Sequence, residues 1–468
     1  PVIRCVSASK QGAWRAALNL SMTTAMTAEV AKNYIRLAIP KDRTGLNFRH
    51  LAIGYDLHCI QMNLSHDRIQ QFYESKGGFL PPQISAFMRN RGAPDSNLVR
   101  KAVREDVEQA IAANSPNAAL GVSCTDYQKH YDSITGDGKQ LALLALGAPV
   151  MLQKVLAETS FQNSFQIETT EGRTEKTEHA DGERQGNTLA CDTTNIINTM
   201  SVLSLRGKKL MYKMKFSEPG SEIDPDSLGF NYVDDTEYQT AGGGALRSII
   251  KIICNFSIAM RIGLNGHEKS FFSMHVADED DLVGSIPFAA WDRNSETIQE
   301  ARIDRIKAAP DGSPTFKKSL GIMLGERADV HEAQDPLVQR KIHLALSRVA
   351  AKKLSRIEMQ TLMTSVGLSA ILYDPISTNA WLKTIRSAQR RQINISGRAL
   401  GIRPNDRKFM VFAPPNLGGN GQRYLLAEHV VSLVRELTYF LNSDSEAGKG
   451  ARNRLFAAKL SSGPAATN

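Results

Sequence analysis

The chain has few cysteines and none of them is paired. Cys5, Cys59, Cys124, Cys191 and Cys254 stand singly in 468 residues, with no Cys-x-x-Cys and no partnered histidine spacing, which excludes a zinc site or a disulfide framework. Mostly apolar surroundings mark them as reduced, buried thiols of an intracellular protein, nuclear or cytoplasmic. Long apolar runs are missing too. The longest, Leu141 to Leu152, is shorter than the ~20 residues a bilayer needs and is broken by Gly147 and Pro149, so no membrane partner is expected. The first residues lack the charged-then-apolar layout of a secretory signal, and the start at Pro1 reads as a piece of something longer. Gly242-Gly-Gly244 has no Gly-Lys-Ser/Thr sequel, which excludes a P-loop and leaves a turn into a helix from Ala245. No internal repeat is present, and the Ser/Gly/Ala/Pro-rich tail after Leu460 is expected to be flexible.

The composition, 42% hydrophobic and 22% charged, is that of a globular chain with two to four domains. Its net charge of +9 is unevenly spread: Leu337 to Lys408 holds fourteen Lys or Arg against Glu358, Asp374 and Asp406. Apolar residues recur there with helical spacing (Ile342, Leu346, Val349 and Leu354, then Leu362, Val366 and Ile371). Arg340, Arg348, Lys352, Lys353 and Arg356 interleave on the polar faces, as a phosphate-tracking surface requires.

Carboxylates arrive at the ends of two apparent strands far apart in sequence. Asp126 lies in Gly121-Val-Ser-Cys-Thr-Asp-Tyr-Gln-Lys-His-Tyr-Asp132, and Asp234-Asp235 closes Gly229-Phe-Asn-Tyr-Val-Asp-Asp235. Such a cluster holds two hard divalent cations about 4 Å apart, the arrangement that stabilises both the attacking and the leaving oxygen in phosphoryl transfer. Upstream, Leu37 to Ile53 reads as strand, turn, strand, with Lys41 and Arg49 flanking the turn. Asp56–Tyr73, Gln83–Arg91 and Ser96–Ala113 read as helices, as does Lys139–Glu158. Phe165 to Asp181 alternates as a hairpin turning near Gly172, and a helix follows Gln185-Gly186 from Asn187 or Thr188. The acidic run Asp278–Asp281 reads as a solvated loop, and Trp291, Trp381 and Tyr373 as packing residues.

Taken in order, Ile39-Pro-Lys41 with Arg49, Asp126 with Lys129, Tyr131 and Asp132, Arg184-Gln-Gly186, Tyr232-Val-Asp-Asp235, Gly263-Leu-Asn-Gly-His-Glu-Lys-Ser270 and Ser319-Leu-Gly-Ile-Met-Leu324 resemble the successive motifs of a reverse transcriptase. Pro414-Pro-Asn-Leu-Gly-Gly-Asn-Gly421 is similar to an element found downstream of the polymerase core in non-LTR (LINE-type) retrotransposon proteins. The resemblance covers residues 35 to 430. It implies that Asp126, Asp234 and Asp235 bind two Mg²⁺ ions, with Mn²⁺ as a substitute. It implies further that Tyr131 excludes the ribose 2′-hydroxyl, that Gln185 and Gly186 contact the incoming nucleotide and template, that Lys41 and Arg49 hold its triphosphate, and that Lys269 protonates the departing pyrophosphate. An RNA template, a DNA or RNA primer and dNTPs are the implied partners. No endonuclease signature is visible, so any nickase would lie in a missing flank or another protein. This sequence departs from the family at His50, where Pro is usual, at His130, where a small residue is usual, and at Asn187, where Asp is frequent.

The implied architecture is an α/β right-hand polymerase. Fingers come from residues 1–118 and the excursion 139–184, the palm from 119–335, and a basic helical thumb with a C-terminal connection from 336–468. The competing expectation is a domesticated relative that keeps the fold and basic surface as a ribonucleoprotein scaffold. An RNA-templated RNA polymerase is disfavoured by Tyr131.

Overall fold

The computed structural model describes residues 33–40, 48–54, 66–67, 69–71, 73, 80–88, 91–115, 118–158, 163–169, 172–179, 182–183, 188–266, 269–276, 284–306, 315–320, 322–324, 330–350, 354–368 and 382–461. The fold is mixed α/β. Both expected strands are present: β1 (Asn33–Pro40) pairs antiparallel with β2 (Phe48–Gly54), Pro40 opposite Phe48, while the residues between them lie outside the described ones. β1 also pairs in parallel with β4 (Asn163–Thr169), whose other partners are β5 (Gly172–Arg173) and β6 (Thr177–His179). The N-terminal hairpin and the excursion after Asp126 thus form a single five-stranded sheet. The turn between β4 and β5 closes at Gly172, where φ is +125°, a conformation glycine adopts without strain.

A six-stranded sheet carries the acidic positions, in the order β10-β11-β9-β3-β8-β7. Its strands are β3 (Ala119–Asp126), β7 (Phe230–Tyr232), β8 (Asp235–Thr240), β9 (Phe271–Val276), β10 (Ser285–Asp292) and β11 (Thr297–Arg305). β3 runs between β8 and β9 and is buried along nearly all its length. Its small residues allow this: a Cβ on Gly121 would lie 2.6 Å from Thr240 Oγ1. Three helices pack around this sheet, α1 (Ala93–Ala112), α4 (Thr188–Leu205) and α5 (Gly242–Ala259). Between β3 and α4 run α2 (Gly136–Ala145) and α3 (Val150–Glu158). The single helix read over Lys139–Glu158 is two, because Gly147 takes φ +67° and Pro149 follows it. Likewise α5 starts at Gly242 rather than Ala245, its three glycines forming the first turn.

The helix read over Gln83–Arg91 is not formed. Residues 83–85 run alongside β7 instead: Ile84 bridges Asn231, whose N–H donates to the Gln83 carbonyl at 2.8 Å and whose carbonyl accepts from Ser85. Arg91 Nη1 donates to the carbonyls of Pro81 (2.9 Å) and Leu80 (3.3 Å), fixing the irregular backbone that leads into this stretch. The tertiary partner outweighs local propensity.

Beyond the short β12 (Lys317–Ser319) and β13 (Ile322–Leu324) hairpin, the chain becomes helical. α6 (Val330–Ala350), α7 (Arg356–Leu362) and α8 (Leu382–Ala399) enclose a core of their own, with Val338, Ile342 and Leu346 against Met359, Met363, Ile385, Ala388 and Leu425. Pro414–Gly421 forms the tight turn that brings the chain to α9 (Leu425–Leu441). A Cβ on Gly419 would lie 2.0 Å from the Ala413 carbonyl oxygen, so the glycine is a packing requirement of that turn. α10 (Glu446–Ser461) returns to the main core through Ala447 and Ala451. It packs on α1, with Gly450 against Val99 and Ala102 and Arg454 Nε 2.9 Å from a Glu105 carboxylate oxygen. Among the described residues no helix is long and apolar enough to cross a membrane.

His130 lies inside the main body, its ring stacked on Tyr127 with centroids 4.7 Å apart. Burial lowers its pKa to about 4, with the Asn198 side chain pulling weakly the other way. The folded form therefore keeps a neutral ring where the unfolded chain takes up a proton. Stability is fully present above the unfolded pKa near 6.5 and is lost as the pH falls toward 4, by about 3 kcal/mol in all. In denaturant titrations between pH 7.5 and 4, His130→Phe, which keeps the stacked ring, should lose less stability on acidification than the unsubstituted chain, the difference approaching about 3 kcal/mol.

Candidate active site

Asp126 ends β3 directly opposite Asp235, the first residue of β8. Asp234 sits on the two-residue turn joining β7 to β8, between Tyr232 and Asp235, which are themselves paired. Val233 at that turn has φ +63°, a conformation a β-branched residue reaches only at a cost of ~1–3 kcal/mol. Asn198 on α4 helps hold it, donating from Nδ2 to the Val233 carbonyl at 2.9 Å. The backbone N–H of Tyr127 donates to the Asp234 carbonyl at 3.1 Å, tying the turn to the end of β3. The three acidic positions, 108 residues apart in sequence, thus meet at one sheet end.

Residues 263–270 brace Asp126 from the other side. Its N–H donates to Ser270 Oγ at 3.1 Å and its carbonyl accepts from the Asn265 N–H at 2.9 Å. Asn265 Nδ2 also donates to Asp126 Oδ2, and Lys269 Nζ stands 3.3 Å from the same oxygen. Lys269 is mostly solvent-exposed, so this contact is an accessible one that a competing cation can displace.

The Asp235 carboxyl is pushed up to about 7. Burial is the main cause, followed by the charges of Asp234, Asp126 and Glu237, while Arg100 opposes them. Crowded carboxylates of this kind are relieved by a dication, and oxygen-only donors suit a hard one. The donor set therefore fits Mg²⁺ in its chemistry. Among the described residues no three His, Cys, Asp or Glu side chains stand ready-closed around an ion.

Tyr131 is half-buried beside this cluster, on a helical turn (His130–Ser133) entered through Lys129 at φ +46°. Its Oη is 3.8 Å from Cys191 Sγ on α4. Burial raises the phenol far above its ordinary range, and Cys191, Asp234 and Tyr232 add to the shift. If this segment were a strand, alternation would turn His130 away from Tyr131. The segment is helical instead, and the stack on Tyr127 is what turns His130 into the core. Gly182 and Glu183 close over the same turn. Glu183 N–H donates to the Tyr131 carbonyl at 2.7 Å, Gly182 N–H to the Ile134 carbonyl at 3.0 Å, and a Cβ on Gly182 would lie 2.8 Å from Asp132 Cα. The buried pair Lys139 Nζ to Glu183 Oε1, 2.8 Å, anchors this strap.

Gln185, Gly186, Lys41, Lys352 and Lys353 lie outside the described residues. Arg49 is placed on β2 opposite Ile39, while Arg348 falls on α6 and Arg356 opens α7. Arg340 is exposed on α6 and lines a groove of about 620 Å³ between α6 and α8 together with His343, Lys383 and Arg391. Sequence reasoning passed over α8 itself, which has five Lys or Arg and no acid. Lys383, Arg386, Arg390 and Arg398 are exposed along one face at spacings of three, four and eight. That spacing was readable. Asn265 and Ser270 were inside the quoted motif without being singled out, whereas Asn198 carried no signal at all.

One consequence concerns stability. Asp235 ionises near 3.8 when unfolded but only near 7 when folded, so folding is penalised increasingly as the pH rises through that window. Asp235→Asn should therefore stabilise the chain at pH 7.5 in EDTA, by on the order of 1–3 kcal/mol, and leave stability at pH 3 unchanged. Denaturant unfolding at the two pH values measures this.

The chain matches no protein-family model and no curated protein. Among solved structures it is similar to apo telomerase from Candida tropicalis, at TM-score 0.39 and 10% identity, over 95% of this chain and 74% of that one. It is also similar to telomerase from Candida albicans bound to a fragment of telomeric RNA, at TM-score 0.35 and 10% identity over 85% and 68% of the two chains. For a Candida tropicalis telomerase truncated of its C-terminal domain the values are 0.37 and 10%, and the chain spans 59% of that protein.

Proposed function

We propose that this chain is an RNA-directed DNA polymerase with a right-hand arrangement, the polymerase part of a non-LTR retrotransposon protein that extends a target-site primer on an RNA template. The observation that carries the reading is the meeting of Asp126, Asp234 and Asp235 at one sheet end, with Tyr131 half-buried beside them. The order of the motifs supports the family, and the Pro414–Gly421 turn supports the non-LTR branch.

In this reading Asp126, Asp234 and Asp235 hold two Mg²⁺ ions. Bound there, the ions would supply charge neutralisation on the triphosphate and a lowered pKa for the primer 3′-hydroxyl. The rest falls to the chain. The ring of Tyr131 fills the space a ribose 2′-hydroxyl needs, and so selects dNTPs. Gln185 and Gly186 contact the incoming nucleotide and the template base. Lys41 and Arg49, the latter on β2 of the five-stranded sheet, bind the triphosphate. Lys269 has its ammonium 3.3 Å from Asp126 Oδ2 and gives a proton to the departing pyrophosphate. Arg340, Arg348, Lys352, Lys353 and Arg356, joined by the exposed cations of α8, track the template–primer backbone.

Primer extension on an RNA template with Mg²⁺ and dNTPs or NTPs tests this directly. Extension is expected with dNTPs and not NTPs, is abolished by Asp234→Ala, and extends to NTPs in Tyr131→Ala. Failure with every template, alongside tight RNA binding indifferent to Asp234→Ala, would sink the polymerase and leave a scaffold.

The basic module yields a second expectation. In template–primer binding measured from 50 to 300 mM salt, replacing Arg386 and Arg390 with Gln should reduce the slope of log K against log salt by ~0.9 for each phosphate no longer neutralised. Affinity should fall equally for unrelated sequences.

A further inference from the structure

Behind Asp235, two residues along β8, the Glu237 carboxylate is completely buried and shared by four elements. Arg100 Nε on α1 stands 2.9 Å from its Oε1, and Gln239 Nε2 donates to the same oxygen at 2.8 Å. Its Oε2 accepts from Ser319 Oγ on β12 at 3.3 Å and from Cys124 Sγ on β3 at 3.4 Å. Arg100 Nη2 reaches Ser319 Oγ as well, at 3.4 Å, and the guanidinium lies over the Phe230 ring, 5.0 Å from its centroid. α1 makes a second contact with the hairpin one residue on, where Asn97 Nδ2 donates to the Leu320 carbonyl at 3.5 Å.

Stability alone is a poor reason for this arrangement. Taking both charges out of water costs about what their attraction returns, and apolar residues of similar volume in such places are commonly neutral or stabilising. What they lack is direction. A carboxylate that accepts from three fixed side chains and pairs with a guanidinium permits one placement of the elements that supply them. The element so placed is the β12–β13 hairpin, whose second strand contributes Leu324 to the main core and lies in contact with α6, the first helix of the basic module.

We propose that Arg100, Glu237 and Ser319 form a strut that sets the position of the β12–β13 joint, and through it of the basic helical module, relative to the carboxylate-bearing strand β8. These are positioning residues that touch no substrate. In a polymerase the strut would fix where a template–primer lying on the basic module delivers its 3′-end. That last consequence rests on the proposed function, whereas the strut itself does not.

The test uses the full chain with an Arg100→Met, Glu237→Met double variant, which removes both charges together, and Ser319→Ala, which leaves them paired. Amide hydrogen exchange is read in the peptides covering residues 315–324. The double variant is expected to keep its Tm while exchange in that hairpin rises at least tenfold, and Ser319→Ala to raise it several-fold with exchange elsewhere unchanged. In primer extension, KM for template–primer should rise several-fold while kcat stays within about twofold. Wild-type exchange in 315–324 in both variants overturns the strut, as does acceleration spread over the whole chain. If the double variant fails to fold, Ser319→Ala alone decides on the same readout. Polymerase failure in the unmodified chain defeats the proposed function and leaves the exchange result standing.

Discussion

Three carboxylates held at one end of a sheet repel one another, and that repulsion is the constraint around which the rest of the molecule is built. Asp235 shows it most clearly, as burial and its neighbours' charge keep a proton on it up to about neutral pH. Holding the cluster takes backbone bonds from three directions: the Ser270 and Asn265 side on Asp126, the Tyr127 bond to the Asp234 carbonyl, and the Asn198 amide beneath Val233. The positive φ at Val233 is part of the same arrangement. A relaxed hairpin end would cost less and would turn Asp234 elsewhere.

The same logic explains the polar character of α4. Asp192, Thr193, Thr194, Asn195, Asn198, Thr199 and Ser201 are all fully buried on that helix. Several have defined work: Asn195 bonds the Ala86 carbonyl, Asn198 the Val233 carbonyl, and Asp192 receives His66 and Gln70. An apolar helix would pack as well against the sheet. It could not fix the irregular backbone of residues 80–88 and 233, whose carbonyls need donors.

Much of this was legible beforehand, and the limits have physical causes. Asp126 and Asp234-Asp235 could be read because carboxylates at the ends of short apolar strands have few structural uses. β1, β2, α1 and α4 followed from periodicity. Gln83–Arg91 was misread because Ile84 and Ser85 are claimed by the edge of β7, a partner well over 100 residues away that no local pattern reveals. Glu237 sits in a strand pattern like any polar position facing solvent, and only the fold shows that Arg100, Ser319 and Cys124 enclose it. His130 ended in the core for a reason the sequence did not give, since its segment is a helical turn. The cationic face of α8 was plain in the spacing and was simply not singled out.

The parallel pairing of β1 with β4 brings a further consequence, for how the chain is made. Tyr34 lies beside Phe165, so one edge of the β1–β2 hairpin stays open until β4, which begins at Asn163, has left the ribosome. Helices such as α1 can form at once from local contacts, but this sheet has to wait for a strand that arrives about ten seconds or more later at ordinary elongation rates. Through that interval β1 offers a row of unpaired N–H and C=O groups to any passing strand. The nascent chain's exposure to misassembly at this sheet therefore ends when β4 emerges.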